Sequence, residues 1–340
     1  MKYIQPVNRP LSGSLVAQVY TSLRADFGLV PEPLTLHSPV PYLLAGFWCL
    51  MREAQLVGRV SREIKEAVAA GVSAANVCPY CVEIHGTLAT ERGPNLALQI
   101  KQGRVDEIEP LALRQAVAWG QANLSPGADL LQRPPFTLSE APEIIGTALA
   151  YHYINRMVRI FLGESLLPQP LRDTPLRDFA WPLVRWRLTG SMQRPKTSGT
   201  SLAFVSEAPL PPDLRWAESS PTIARALAAW VAGAERAGSE VLSPQVRTLV
   251  GQHVAAWKGK APGLSRGWVE QAVVGLNEAD QAAARLTLLT ALASYQVDDR
   301  TINAFRVHHP SDADLVKAVA WASLTATRRV GSWLLPGIAD

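Results

Sequence analysis

Cysteine is scarce in this sequence, with three residues in 340. A small odd number in a chain of that length does not build a structural disulfide framework, so a closely spaced pair points to redox chemistry or metal binding. Long uncharged apolar runs are also missing. The longest uncharged stretch, residues 33–51, is interrupted by Pro39 and Pro41 and carries His37 and Ser38, which argues against a membrane-spanning helix and a membrane partner. The opening MKYIQPVNRPLSGSL has no apolar core of the length a secretory signal needs, so the expected location is the cytoplasm. No run of Lys and Arg is interleaved with aromatics. The 33 basic residues against 29 acidic leave a formal charge of only +4, which argues against nucleic acid as a partner. Strand-like alternation of apolar and polar residues is almost absent as well.

What is abundant is helical periodicity. In residues 42–75, Leu43, Phe47, Leu50, Leu56, Val60, Ile64, Val68 and Val72 recur at three- and four-residue intervals, the spacing of one helix face. Ser61 is a plausible N-cap for the part that carries Glu66, with Glu63 in the first turn where the helix dipole favours it. Further helices are expected at 11–26, 106–123, 140–162, 220–237, 244–257, 268–296 and 311–334. The fold class is all-α. Residues 166–221 hold nine of the 26 prolines together with RPKTSGTS and read as a connecting segment that wraps the surface.

Across that segment the chain repeats itself. Residues 139–162 match 311–334 at a constant offset, with Ser139/Ser311, Ala141/Ala313, Ala148/Ala320, Ala150/Ala322, Arg156/Arg328, Val158/Val330 and Leu162/Leu334 identical. Composition alone gives roughly two matches in such a window. Residues 60–77 can be laid on 242–259, with Thr248 opposite Glu66, and no cysteine or histidine follows at the matching positions. The expectation is a diverged tandem duplication in three parts: a helical half at 1–165, a Pro-rich connection at 166–219, and a second helical half at 220–340 that has lost the chemistry.

That chemistry sits in NVCPYCVEIHG, where Cys78, Cys81 and His85 are spaced C-x-x-C-x-x-x-H. Pro79 suits the first turn of a helix, because its missing N–H would be unpaired there, and Cys78 then stands at the N-cap. Cys81 and His85 fall one turn apart on one face. A thiol must lose its proton to react, and a helix N-terminus and a basic neighbour both favour that loss; on this argument Cys78, bonded to backbone N–H groups at the cap, is the lower-pKa sulfur. Two cysteines three apart can also close into a disulfide. A zinc site needs a fourth ligand, and no second CxxC or HxxxH supplies one. Haem attachment needs His where Val82 stands. A glutaredoxin needs a strand before the motif, and residues 63–75 are helical in period. Cys49 reads as a buried core thiol. His152 reads as pocket-lining or interior, the remaining histidines as structural or exposed, and the role of Tyr80, between the cysteines, is open.

With Glu66 twelve residues before Cys78, the pattern becomes E-x11-C-x-x-C-x-x-x-H. Over residues 61–87 it resembles the active-site segment of the alkyl hydroperoxidase D (AhpD)-like and carboxymuconolactone decarboxylase superfamily. The resemblance implies an AhpD-like all-α fold that packs into homo-oligomers, and a cofactor-free site without a metal that reduces organic or hydrogen peroxides. It assigns peroxide attack to Cys81, disulfide formation to Cys78, and a proton relay to Glu66 and His85. The implied partner is a dithiol reductant of dihydrolipoamide or thioredoxin-like type. Two alternatives stand beside this reading. One is a decarboxylase-like biosynthetic or catabolic enzyme in which Glu66 and His85 do acid–base work and the thiols are incidental. The other is a redox sensor without turnover.

Overall fold

The computed structural model of the chain describes residues 1–90, 96–163 and 196–334. Among these, the regular elements are helices and no strand is present, as the periodicity predicts. The first stretch contains α1 (Leu15–Phe27), α2 (Pro41–Met51), α3 (Arg62–Ala75), α4 (Pro79–Leu88), α5 (Leu96–Lys101), α6 (Leu111–Ala122) and α7 (Ala141–Phe161). After residue 196 come α8 (Pro221–Val241), α9 (Pro244–Ala256), α10 (Gly267–Ala272), α11 (Glu278–Ala293), α12 (Asp299–His308) and α13 (Asp312–Gly331). No helix among the described residues is long and apolar enough to cross a membrane.

The helix expected over 42–75 is broken. α2 runs on into a π-helical turn, Arg52–Leu56, and the chain then leaves helical geometry until Ser61. At Gly58 φ is +111°, and a Cβ there would lie 2.2 Å from the Glu143 carboxyl. That carboxylate, on α7, accepts the backbone N–H groups of Arg59 at 2.8 Å and Val60 at 3.1 Å. Lys65, buried on α3, donates to the Val57 carbonyl and pairs with Glu143, both at 2.5 Å. Side chains from elsewhere therefore satisfy backbone groups that a continuous helix would have paired internally. Breaking such a buried pair by removing one partner costs about 3–5 kcal/mol, which is enough to override helix propensity.

Other boundaries move for similar reasons. Residues 268–296 divide into α10 and α11 at Gly275, with φ +89°, and Asn277 caps α11 by accepting from the Asp280 N–H at 2.9 Å. The helix predicted from 106 begins at Leu111, after Pro110, where the residue before proline disfavours helical geometry. α12 has no counterpart among the expectations: its buried apolar side chains are only Ile302 and Phe305, one turn apart. Its start is set by the Asp298 side chain, which accepts from the Thr301 N–H at 3.0 Å.

α3 is the hub of the first stretch, packing on α4, α6 and α7. Its approach to α6 is backbone to backbone. A Cβ on Gly71 would lie 2.3 Å from the Val117 carbonyl oxygen, and one on Gly120 would lie 2.8 Å from that of Val68. The two stretches share one apolar core: α2 packs on α8, and α7 on α13, with Tyr153 edge-on to Trp230 at 5.2 Å. The windows aligned in sequence, 139–162 and 311–334, are α7 and α13. α3 and α9, the other aligned pair, both start at a serine cap, where Ser61 accepts from Ile64 at 3.4 Å and Ser243 from Val246 at 3.2 Å.

Of the Pro-rich connection, residues 166–195 lie outside the described residues. The rest is bound rather than draped. Glu53, on the π-helical turn, accepts from the Ser198 hydroxyl at 3.1 Å, the Gly199 N–H at 2.8 Å and the Ser201 hydroxyl at 2.9 Å. Short 3-10 turns at Thr200–Phe204 and Pro212–Ala217 bury Leu202, Leu214 and Ala217.

Candidate active site

α3 ends in a turn of unusual composition. Val77 N–H bonds to the Ala74 carbonyl at 3.0 Å and Cys78 N–H to the Ser73 carbonyl at 2.8 Å, the paired bonds of a Schellman cap. The left-handed position of that cap, normally glycine, is Val77, with φ +52°. The turn is short enough to lay α4 back along α3. Pro79 opens α4 with Cys78 at the N-cap, as the sequence predicts. Glu66 of α3 then faces His85 of α4.

Glu66 has no solvent exposure. One carboxylate oxygen takes Arg62 Nε at 2.5 Å and Gln55 Nε2 at 3.1 Å. The other lies 2.5 Å from His85 Nδ1. Burial pushes the carboxyl toward its neutral form, but the charges and hydrogen bonds of Arg62 and His85 outweigh it and hold Glu66 below the ordinary carboxylate range. Nδ1–H donating to a carboxylate leaves the lone pair of a neutral imidazole on Nε2. Tyr151, on α7, fixes the ring from its side: the two rings meet edge to face at 4.5 Å. Its hydroxyl donates to Gln55 Oε1 at 2.9 Å and lies 3.3 Å from His85 Nδ1.

The two sulfurs are 3.0 Å apart and both are buried as free thiols. The Cys78 thiol makes no capping bond to the start of α4 and faces the Cys81 sulfur instead, so the backbone stabilisation expected of an N-cap sulfur is not realised. Cys81 is pushed well above the ordinary thiol range by burial first and then by Cys78. Burial thus favours its neutral thiol, and its reactivity depends on a base.

A cavity of about 230 Å3 opens onto Cys81, Tyr80, Ile84 and His85 of α4, and Cys78 is absent from its lining. The rest of the wall is mainly apolar, with Phe27, Leu34, Met51, Ile154 and Val158, and Gln55, Arg62, Glu32 and Tyr151 as polar members. The four sequence-predicted residues Glu66, Cys78, Cys81 and His85 thus form one cluster, and only Cys81 and His85 of the four meet the cavity. Gln55, Arg62 and Tyr151 complete it and were not anticipated. Arg62 carried a readable signal, four residues before Glu66 on one helix face; Gln55 lies on the unanticipated π-helical turn, and Tyr151 lies in sequence beside the residue that drew notice, His152. That histidine is interior, between Asn76 at 3.0 Å and Asn123 at 3.2 Å. Cys49 is the core thiol expected: it donates to the Ser201 carbonyl at 3.0 Å, and burial raises it to about 12. Among the described residues, no three His, Cys, Asp or Glu side chains are disposed to hold a metal ion.

Chemically, the cluster combines a thiol at the floor of an apolar cavity, an imidazole one turn away whose orientation is set by a buried carboxylate, and a second thiol behind the first. No family model matches the sequence. A search of curated proteins finds a relative along nearly the whole length: alkyl hydroperoxide reductase Rv2159c of Mycobacterium tuberculosis, 38% identical over 336 residues, covering 98% of this chain and 95% of the relative. Identity at that level over both full lengths, with the E-x11-C-x-x-C-x-x-x-H cluster assembled as described, places this chain in the alkyl hydroperoxidase D (AhpD)-like family.

Proposed function

We propose that this protein is a thiol peroxidase that reduces a hydroperoxide at Cys81 and closes a Cys78–Cys81 disulfide. The observation that carries the reading is the asymmetry of the two sulfurs: Cys81 lines the cavity beside His85, and Cys78 sits behind it at 3.0 Å. His85, held by Glu66, takes the proton of Cys81, and the thiolate attacks the terminal oxygen of ROOH. A sulfur–oxygen bond forms and the O–O bond breaks. The alkoxide leaves as ROH with the proton from His85. The Cys78 thiol then attacks the Cys81 sulfenic acid; the S–S bond forms and water departs. A dithiol returns the pair to its starting state by two exchange steps. Because both sulfurs are buried, we propose a slender aliphatic dithiol of the dihydrolipoamide type over a thioredoxin-like protein. The relative's name, an alkyl hydroperoxide reductase, supports the same activity.

Substitution of each sulfur tests this. Cys81→Ser is expected to lower peroxide turnover by roughly 10²-fold or more. Cys78→Ser is expected to complete one oxidation and stop at a Cys81 sulfenic acid, read by trapping with a 1,3-diketone. Retained turnover of a physiological substrate by Cys81→Ser would instead support acid–base chemistry by Glu66 and His85 with incidental thiols.

The three-part organisation, two related helical halves joined by residues 166–219, is also a proposal. It is supported by the matching partners of the aligned helices: α3 packs on α6 and α7, and α9 on α11 and α13.

A further inference from the structure

Tyr80 is the second residue of α4, between the two cysteines, and it lines the cavity with Cys81 and His85. It is 2% exposed, and its hydroxyl has no hydrogen-bond partner among the described residues. A buried hydroxyl without a partner loses its bonds to water and gains none in return. The other phenol of the same cavity, Tyr151, does not stand in this way, because it donates to Gln55. His85 Nδ1 and Arg62 are engaged by Glu66. Tyr80 thus lines the cavity with a buried hydroxyl that has no bond among the described residues.

We propose that the Tyr80 hydroxyl donates a hydrogen bond to the oxygen that leaves when Cys81 attacks a hydroperoxide. This rests on the peroxidase reading above. As the sulfur–oxygen bond forms, the electron pair of the broken O–O bond collects on the RO oxygen, and a preset donor at that oxygen lowers the barrier. Tyr80 keeps its own proton throughout, and the proton that neutralises the alkoxide is the one His85 took from Cys81. Burial pushes the Tyr80 phenol far above its ordinary value, with Glu32 and the two sulfurs adding in the same direction, so the hydroxyl is a donor at any physiological pH. The R group lies along the apolar wall of Leu34, Met51, Ile154 and Val158.

The test compares wild type with Tyr80→Phe in single-turnover oxidation of Cys81, quenched by alkylation, across hydroperoxides whose alcohols differ in acidity. Tyr80→Phe is expected to react roughly 10²-fold more slowly and to depend more steeply on leaving-group acidity. Its melting temperature is expected to be unchanged or higher, since the deleted hydroxyl has no partner among the described residues to lose. A variant with the wild-type rate and slope overturns the proposal, as does one that is slower with an unchanged slope and a lower melting temperature, the signature of a structural role. If no hydroperoxide oxidises wild-type Cys81, the peroxidase reading falls and this proposal with it; a wild type that reacts while Tyr80→Phe matches it removes this proposal alone.

Discussion

Glu66 is a carboxylate without solvent contact, and its ionised form persists because Arg62, Gln55 and His85 occupy its oxygens. A depressed carboxylate contributes stability that is present above its unfolded value, about 4.3, and lost as the pH falls through its lower folded value. Arg62 is the first of the groups that oppose burial, so Arg62→Ala is expected to raise the Glu66 carboxyl and move the acid-side loss of activity to higher pH. The variant is also expected to lose about 1.5–3 kcal/mol of stability, the worth of a hydrogen bond to a charged group. The pH profile of kcat/KM checks this, and an acid limb at the wild-type position contradicts it. At this scale the sequence exposed the residues whose spacing is local. Cys78, Cys81 and His85 announce themselves by helical arithmetic, and Glu66 by its distance from them. Gln55 and Tyr151 do not, because nothing local ties position 55 or 151 to a carboxylate at 66; the fold makes that connection.

At the scale of elements, the turn between α3 and α4 sets the distance between carboxylate and imidazole. Its left-handed position is occupied by a β-branched residue, Val77, which is largely exposed and gains little from burial. Left-handed geometry costs a non-glycine residue about 1–2 kcal/mol, and glycine at the same place costs about 0.5–1 kcal/mol in lost chain entropy. Val77→Gly is therefore expected to raise stability by about 0.5–1 kcal/mol, measured by urea unfolding. A loss of about 1 kcal/mol or more would contradict the strain argument. Helix type was readable throughout because the apolar period is strong. The interruptions at 57–61 and 273–277 were harder to read, since Gly58 and Gly275 are single letters and the groups that pay for the broken helix bonds, Glu143 and Lys65, are distant in sequence or look like surface charges.

For the whole molecule, the two helical stretches do not stand apart. Arg156 of α7 is buried and donates to its own helix at His152 and to the Ala291 carbonyl of α11 at 3.0 Å; burial lowers it to about 10. Its aligned counterpart, Arg328 of α13, pairs with Asp213 and Glu235 near the surface. The same residue type at aligned positions makes two different sets of contacts, as the proposed duplication followed by divergence requires. The second stretch packs on α2, which leads into the π-helical turn of Gln55, and on α7, which carries Tyr151, and none of its described residues lines the cavity.

The central claim is that Cys81 receives an oxygen atom and Cys78 removes it. Wild-type protein treated with one equivalent of an organic hydroperoxide, denatured in alkylating reagent and digested, tests it by mass spectrometry. The account predicts that peptides containing Cys78 and Cys81 lose two hydrogens and resist alkylation, that Cys49 is alkylated in full, and that an aliphatic dithiol restores both thiols. Full alkylation of Cys78 and Cys81 after the peroxide has been consumed would contradict it.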